Sequence, residues 1–123
     1  AEILAQVKEA TTAHRDTTNL YNEVERYGVM PLTIAAMVGR GRLNRVFAAR
    51  LDASPMPSDM TVVGEQSAYR GEIAALVGHF EGEAERELRA AIAGGQAQAG
   101  ASAYVQKACA ELALMKRKEV DGC

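Results

Sequence analysis

The sequence predicts an all-α protein, an antiparallel up-down four-helix bundle, and three observations support this prediction. Apolar residues recur at spacings of three and four from residue 3 to residue 24, as expected for a helix that packs along another helix. Hydrophobic residues make up 48% of the chain, which is typical of a soluble globular protein, and alanine, the best helix former, is abundant among them. The prolines Pro31, Pro55 and Pro57 all fall between stretches of helical periodicity.

The first helix is predicted over residues 2–27 and carries the most regular stripe. The members of the stripe repeat at spacings of four and three, and they are Ile3, Val7, Ala10, His14, Thr17, Tyr21 and Val24. His14 and Thr17 are polar, and further threonines lie beside them, so the helix is too polar for a purely structural seam. We therefore expect it to face a ligand pocket or a second subunit.

Three further helices are predicted from periodicity and from the turn residues between them. Helix 2 spans residues 31–51, because proline suits the first turn of a helix, and its first half is apolar almost all round, which indicates burial. A loop rich in proline and serine over residues 52–64 precedes helix 3 at residues 65–93, and helix 4 follows at residues 102–120. The glycines inside helices 2 and 3 either bend these helices or allow close packing.

Length and charge restrict the class of protein. A chain of 123 residues predicts a single domain over residues 1–123. The net charge of −2 and the isoelectric point near 5.7 argue against a nucleic-acid partner. No stretch approaches the ~18 apolar residues of a membrane span, so membrane attachment is expected only through flanking segments absent from this chain. Helical periodicity that starts by residue 3 without a capping residue favours a segment cut from a longer protein.

The sequence carries no recognisable signature of catalysis or metal binding. Neither His14 nor His79 has glutamate three residues before it, as helical di-iron sites require, and no nucleophile or phosphate-loop motif occurs. We therefore predict a protein that is not an enzyme and uses no metal or cofactor. His14 is expected to hydrogen-bond a threonine or tyrosine in the core or to lie at the edge of the stripe. Cys109 and Cys123 are interpreted as a small buried residue and a thiol in the tail, rather than as a disulfide framework.

The most distinctive local cluster is the run Gly39-Arg40-Gly41-Arg42, with Arg45 close behind it. Guanidinium groups bind carboxylate, nitrate or phosphate in a bidentate manner, so Arg40, Arg42 and Arg45 are candidates for holding a small anion between helices. The alternative is that these arginines form ion pairs with acidic residues of helix 3 on a solvated face.

Two stretches of the chain resemble the nitrate- and nitrite-sensing domain of bacterial chemoreceptors, sensor kinases and antiterminators. The first combines Glu25-Arg-Tyr-Gly28 with Phe47-Ala-Ala-Arg-Leu-Asp52, and the second is Leu114-Met-Lys-Arg-Lys-Glu-Val-Asp-Gly122. The resemblance implies an anion sensor in which Arg26 is the first arginine to test. More generally, the chain looks like a four-helix sensor domain placed between two membrane helices, which favours an extracytoplasmic segment over a cytoplasmic one.

The combined prediction is a non-enzymatic sensory domain, a homodimer, that binds a small anion between its helices. Binding would shift helix 1 slightly against helix 4, and the residues of helix 1 predicted to line the pocket are Thr17, Thr18 and Tyr21. The alternative is a small protein–protein interaction module, such as an adaptor, chaperone or inhibitor of plasmid or phage origin. Its methionines would then supply adaptable contacts to a partner.

Overall fold

A computed structural model of the chain consists of helices connected by short links. It describes residues 2–26, 28–98, 100–115 and 120–123. The helices are α1 (Glu2–Arg26), α2 (Met30–Asp52), α3 (Val63–Gln96) and α4 (Ser102–Leu114), and no strand occurs in these described ranges. The predicted all-α class and the four-helix bundle are therefore confirmed.

The helix boundaries differ from the predicted ones mainly in α3 and α4. α3 begins at Val63 and continues to Gln96, because the paired glycines predicted to end it remain helical. α4 ends at Leu114, and Val120 lies outside it in a non-helical tail, so the predicted end at residue 120 is wrong. The predicted end of α1 at residue 27 lies outside the described residues.

α2 is the central helix, because it packs against each of the other three. It follows α1 after a sharp turn at Gly28, whose φ of +70° lies in the left-handed region that glycine adopts without strain. Its contacts with α1 and α3 pair early residues of one helix with late residues of the other, so the neighbouring helices are antiparallel. Phe47 of α2, for example, lies against Phe80 of α3, with ring centroids 4.7 Å apart.

The hydrophobic core lies between α2, α3 and α4. Its largest fully buried side chains are Ile34 of α2, Leu88 and Ile92 of α3, and Leu112 of α4. Burial of each such side chain stabilises the fold by about 1.5–3 kcal/mol. These three helices therefore share one hydrophobic core.

α1 lies beside these three helices rather than within their core. Among its predicted stripe residues, Val7, His14, Thr17 and Tyr21 are half-buried, and Val24 is 36% exposed. The face of α2 that they cover is itself partly polar. Attachment of α1 therefore depends on polar contacts more than the attachment of the other helices does.

The two glycines of α2 allow close packing, and the helix is continuous through both of them. A Cβ at Gly41 would lie 2.5 Å from Cγ of Leu88, and a Cβ at Gly39 would lie 2.6 Å from Cζ of Tyr21. Real Cβ atoms do not approach other carbons so closely, so Gly41 admits α3 and Gly39 admits α1. Of the two interpretations of these glycines, the structure supports close packing.

A disulfide bond joins Cys109 of α4 to Cys123 in the tail, so the prediction of two free thiols is wrong. The tail turns back toward α4: the backbone N–H of Cys123 donates to the carbonyl oxygen of Val120 at 3.1 Å, and Gly122 has a φ of +90°. Val120 packs against the hydrophobic core, and Gly122 lies against Ile92. The tail is thus both packed and covalently fixed.

Candidate functional site

Arg40 is a buried cation held by side chains from α1 and α3. Its Nη1 donates to Oδ1 of Asn22 at 2.6 Å and to Oε2 of Glu25 at 2.7 Å. Its Nη2 donates to Oε1 of Glu25 at 3.2 Å and to Oε2 of Glu87 at 3.0 Å. The side chains of Arg40 and Glu87 are only 9% and 12% exposed, whereas that of Glu25 is 36% exposed. Arg40 therefore connects three helices, and its charge is balanced within the protein.

The ion pair changes the acidity of its members. The hydrogen bond from Arg40 lowers the pKa of Glu25 below its ordinary value, and the positive charge of Arg40 adds to this effect while partial burial opposes it. A carboxyl group whose pKa is lower in the folded state stabilises the protein above its unfolded pKa, and this contribution is lost as the pH falls through the folded pKa. Acid therefore weakens the link between α1 and α2.

Arg42 and Arg45 both meet Glu111 of α4. Nε of Arg45 donates to Oε2 of Glu111, and Nε of Arg42 lies 3.6 Å from Oε1 of the same carboxylate. The Arg42 side chain is 70% exposed, so its pair is a surface interaction. The candidate arginines of α2 are thus divided between two faces, with Arg40 toward α1 and α3 and the other two toward α4.

The candidate residues of α1 lie at different places along the helix. Arg26 is exposed in the last turn. The hydroxyl groups of Thr17 and Thr18 donate to carbonyl oxygens four residues earlier in α1, at 3.0 and 2.9 Å. Tyr21 lies against α2 at Gly39. Of these four residues, Thr17 lines the groove described next.

A groove of about 460 Å³ lies between α1 and α2. Pockets that bind small molecules commonly have volumes of about 300–1,000 Å³. The side of the groove that α1 forms is lined by Gln6, Val7, Ala10, Ala13, His14 and Thr17. The opposite side, formed by α2 and the loop after it, is lined by Leu43, Phe47, Arg50, Leu51, Ser54 and Pro55. Most of the lining side chains are apolar.

His14 belongs to a ring cluster in the wall of the groove. Its Nε2 lies 2.6 Å from Oδ1 of Asn44, so the expected threonine or tyrosine partner is replaced by an asparagine of α2. Its ring centroid is 4.8 Å from that of Phe47 and 4.9 Å from that of Phe80. The three rings connect α1, α2 and α3 and hold the imidazole in one place.

Arg50 supplies the guanidinium group in the lining. It is exposed in the last turn of α2, where its carbonyl oxygen accepts a hydrogen bond from Oγ of Ser54 at 2.9 Å. Within the part of the chain that the structure describes, no carboxylate forms an ion pair with Arg50, in contrast to Arg40 and Arg45. The groove therefore combines an apolar lining with a cation that has no internal counter-ion.

The chain matches no protein-family model, no curated protein and no solved structure. The resemblance to nitrate- and nitrite-sensing domains therefore stays a prediction. Among the described residues, no group of three or more His, Cys, Asp or Glu side chains is placed to hold a metal ion. No helix in the described ranges has the length and apolar character needed to cross a bilayer. The groove is the feature from which a function can be argued.

Sequence reasoning missed Arg50, although a signal was present. Leu43, Phe47 and Arg50 follow each other at spacings of four and three, which places them on one face of α2. The cluster around Arg40 drew attention because glycines separate its arginines. Spacing relative to this face would have identified Arg50 as a second arginine that lies beside α1.

Proposed function

We propose that the protein is a non-enzymatic, sensory ligand-binding bundle that takes up a small anion with an apolar body between α1 and α2. The observation that supports this proposal is the groove of about 460 Å³, whose apolar lining includes the guanidinium of Arg50. An ionic group bound by arginine receives charge-assisted hydrogen bonds, and the apolar walls stabilise the remainder of the ligand.

The attachment of α1 suits it to transmit binding. Its C-terminal half is held by the ion pair of Glu25 with Arg40, and its middle is held by the contact of His14 with Asn44. Its N-terminal half faces the groove through Val7 and Ala10. A ligand that fills the groove would thus displace or order this half of α1 against a body formed by α2, α3 and α4, which is the signal we propose.

The test is a thermal-shift and calorimetry screen with nitrate, phosphate, benzoate and octanoate. A ligand present at a hundred times its Kd should stabilise the protein by about 2.7 kcal/mol. Replacement of Arg50 by glutamine should weaken binding at least tenfold, because it removes the charge in the groove. Arg42→Gln is the matched control, since Arg42 is exposed and lies at Glu111 instead. A screen without any shift, or equal losses in both variants, would contradict the proposal.

A homodimer is the second part of this proposal, and the solvent face of α3 supports it. The first turns of this face carry only small residues at spacings of three and four, namely Gly64, Ala68, Gly71, Ala75, Gly78 and Gly82. All are exposed, and a Cβ built at any of the four glycines meets nothing within 4 Å. Each glycine costs about 1 kcal/mol relative to alanine in an exposed helix, so a closely packed partner helix would explain their number.

The charges beside this face indicate how a second copy would lie on it. Glu65, Glu72, His79 and Arg86 follow one another at intervals of seven along one flank. Two copies of α3 in antiparallel orientation bring the same flank of each copy together, which places Glu72 opposite His79 and Glu65 opposite Arg86. The pattern is therefore complementary to itself in the antiparallel arrangement.

Analytical ultracentrifugation of charge variants tests the dimer. Glu72→Lys should weaken self-association at least fivefold, because it removes the carboxylate that faces His79 of the second copy. Adding His79→Glu to Glu72→Lys in the same chain should restore self-association, because a lysine then faces a carboxylate. Glu9→Lys on the exposed face of α1 is the control for a general effect of charge. A wild-type protein that sediments as a monomer at millimolar concentration would exclude this arrangement.

A further inference from the structure

We infer that the ligand of the α1–α2 groove is a straight-chain aliphatic monocarboxylate of medium length, with its carboxylate at Arg50 and its chain directed toward Leu43. This inference rests on the proposed function, and it names the chemical class of the ligand. Three properties of the groove lead to it: its direction, the small side chains of its α1 wall and the state of its polar groups.

The direction follows from the face of α2 that forms one wall. Arg50, Phe47 and Leu43 lie in a row along this face, with Arg50 at one end. Seven residues separate Arg50 from Leu43, which corresponds to about 10 Å at the helical rise. An extended alkyl chain with C–C bonds of about 1.5 Å covers this distance with roughly eight to ten carbons.

The opposite wall contributes small side chains. Where α1 faces this row, it contributes Ala10 and Ala13, the ring of His14, which packs against Phe47, and Thr17 at the far end. A flexible chain can follow the row over the two alanines, and Leu43 and Phe47 supply apolar contacts to it.

The polar groups at the end opposite Arg50 already have partners within the protein. The hydroxyl of Thr17 donates to the carbonyl oxygen of Ala13 at 3.0 Å, and Nε2 of His14 meets Oδ1 of Asn44 at 2.6 Å. The Thr17 hydroxyl and Nε2 of His14 are therefore already engaged at this end. A ligand with one anionic head and a methyl end matches both ends of the groove, whereas an inorganic anion uses only Arg50.

The experiment is isothermal titration of the full chain with acetate, butanoate, hexanoate, octanoate, decanoate and dodecanoate, each below its micellar concentration. Each added CH₂ group should tighten binding about fourfold, the factor that corresponds to about 0.8 kcal/mol per buried CH₂. The gain in affinity should end near decanoate, whose alkyl chain is long enough to reach Leu43. Decanol, which lacks the charge, should bind at least tenfold more weakly than decanoate.

Two variants distinguish the contribution of the ligand's carboxylate from that of its alkyl chain. Ala13→Leu adds bulk to the α1 wall of the groove and should weaken the binding of decanoate at least tenfold while changing the binding of butanoate by less than twofold. Ala13 is exposed to solvent, and circular dichroism should show an unchanged helix content. Arg50→Gln should weaken all the carboxylates by a similar factor.

The outcomes distinguish this inference from the function on which it depends. Binding of nitrate or acetate as tight as that of decanoate would overturn the inference and leave the proposed function intact. Absence of binding by every anion, with no effect of Arg50→Gln, would overturn both. If Ala13→Leu does not weaken the binding of decanoate, the alkyl chain does not lie along the groove, and the inference is also overturned.

Discussion

Replacement of Arg40 by methionine is expected to lower the free energy of unfolding by about 3–5 kcal/mol, the range found when one partner of a buried ion pair is removed. The variant leaves Glu87, whose side chain is 12% exposed, with only the exposed Arg86 as a cation, at 3.3 Å, and it removes the anchor of Glu25. Methionine preserves most of the volume of the side chain, so the loss measures charge rather than packing. Urea unfolding followed by circular dichroism gives the difference.

Two controls identify the origin of this loss. Arg42→Met removes an exposed arginine from the same helix and should change stability by about 0–1 kcal/mol. Arg40→Met combined with Glu87→Gln should recover part of the loss, because the amide no longer requires a buried counter-charge. The difference in the free energy of unfolding between wild type and Arg40→Met should also become smaller as the pH falls through the lowered pKa of Glu25. A loss below 1 kcal/mol at neutral pH would show that the ion pair does not hold α1.

Reduction of the Cys109–Cys123 disulfide is expected to lower the free energy of unfolding by about 3 kcal/mol, since the bond closes a loop across a sequence separation of 14. The unfolded chain gains conformational freedom when this loop opens. The tail that packs Val120 against the core is then held by non-covalent contacts alone. Chemical unfolding with and without a dithiol reductant measures the effect.

A variant with both cysteines replaced by serine is the matched control. It should unfold at the midpoint of the reduced protein and should not respond to reductant. Limited proteolysis should release the tail more rapidly from the reduced protein than from the oxidised one. Equal unfolding midpoints for the oxidised and reduced wild type would contradict the assigned role of the bond.

Most of the fold could be predicted because helical periodicity is a local property. The spacing of apolar residues indicates where each helix lies, and glycine and proline mark the links. The disulfide could not be predicted, because pairing depends on how the tail returns to α4 and not on the spacing of Cys109 and Cys123. The extension of α3 to Gln96 was missed because packing stabilises glycines that would end an isolated helix.

The candidate site was predicted in part. His14 and Thr17 led to the prediction that α1 faces a ligand pocket or a second subunit, and both residues line the groove. The role of Arg40 depended on which acids face it, and these come from α1 and α3, at sequence separations of 15 and 47. Such distant partners cannot be recognised from a local motif. Arg50, by contrast, follows Leu43 and Phe47 at helical spacing, which is a local signal.

Tyr21, which contacts α2 at Gly39, can serve as an intrinsic fluorescence probe. The chain has four tyrosines and no tryptophan, so its ultraviolet emission comes from phenol rings alone. Tyr21 lies where α1 meets α2, whereas Tyr69 is buried on α3 and Tyr104 belongs to α4. A displacement of α1 at this contact changes the surroundings of the Tyr21 ring. Tyrosine fluorescence can therefore report, without any added label, whether ligand binding also moves the half of α1 that Arg40 holds.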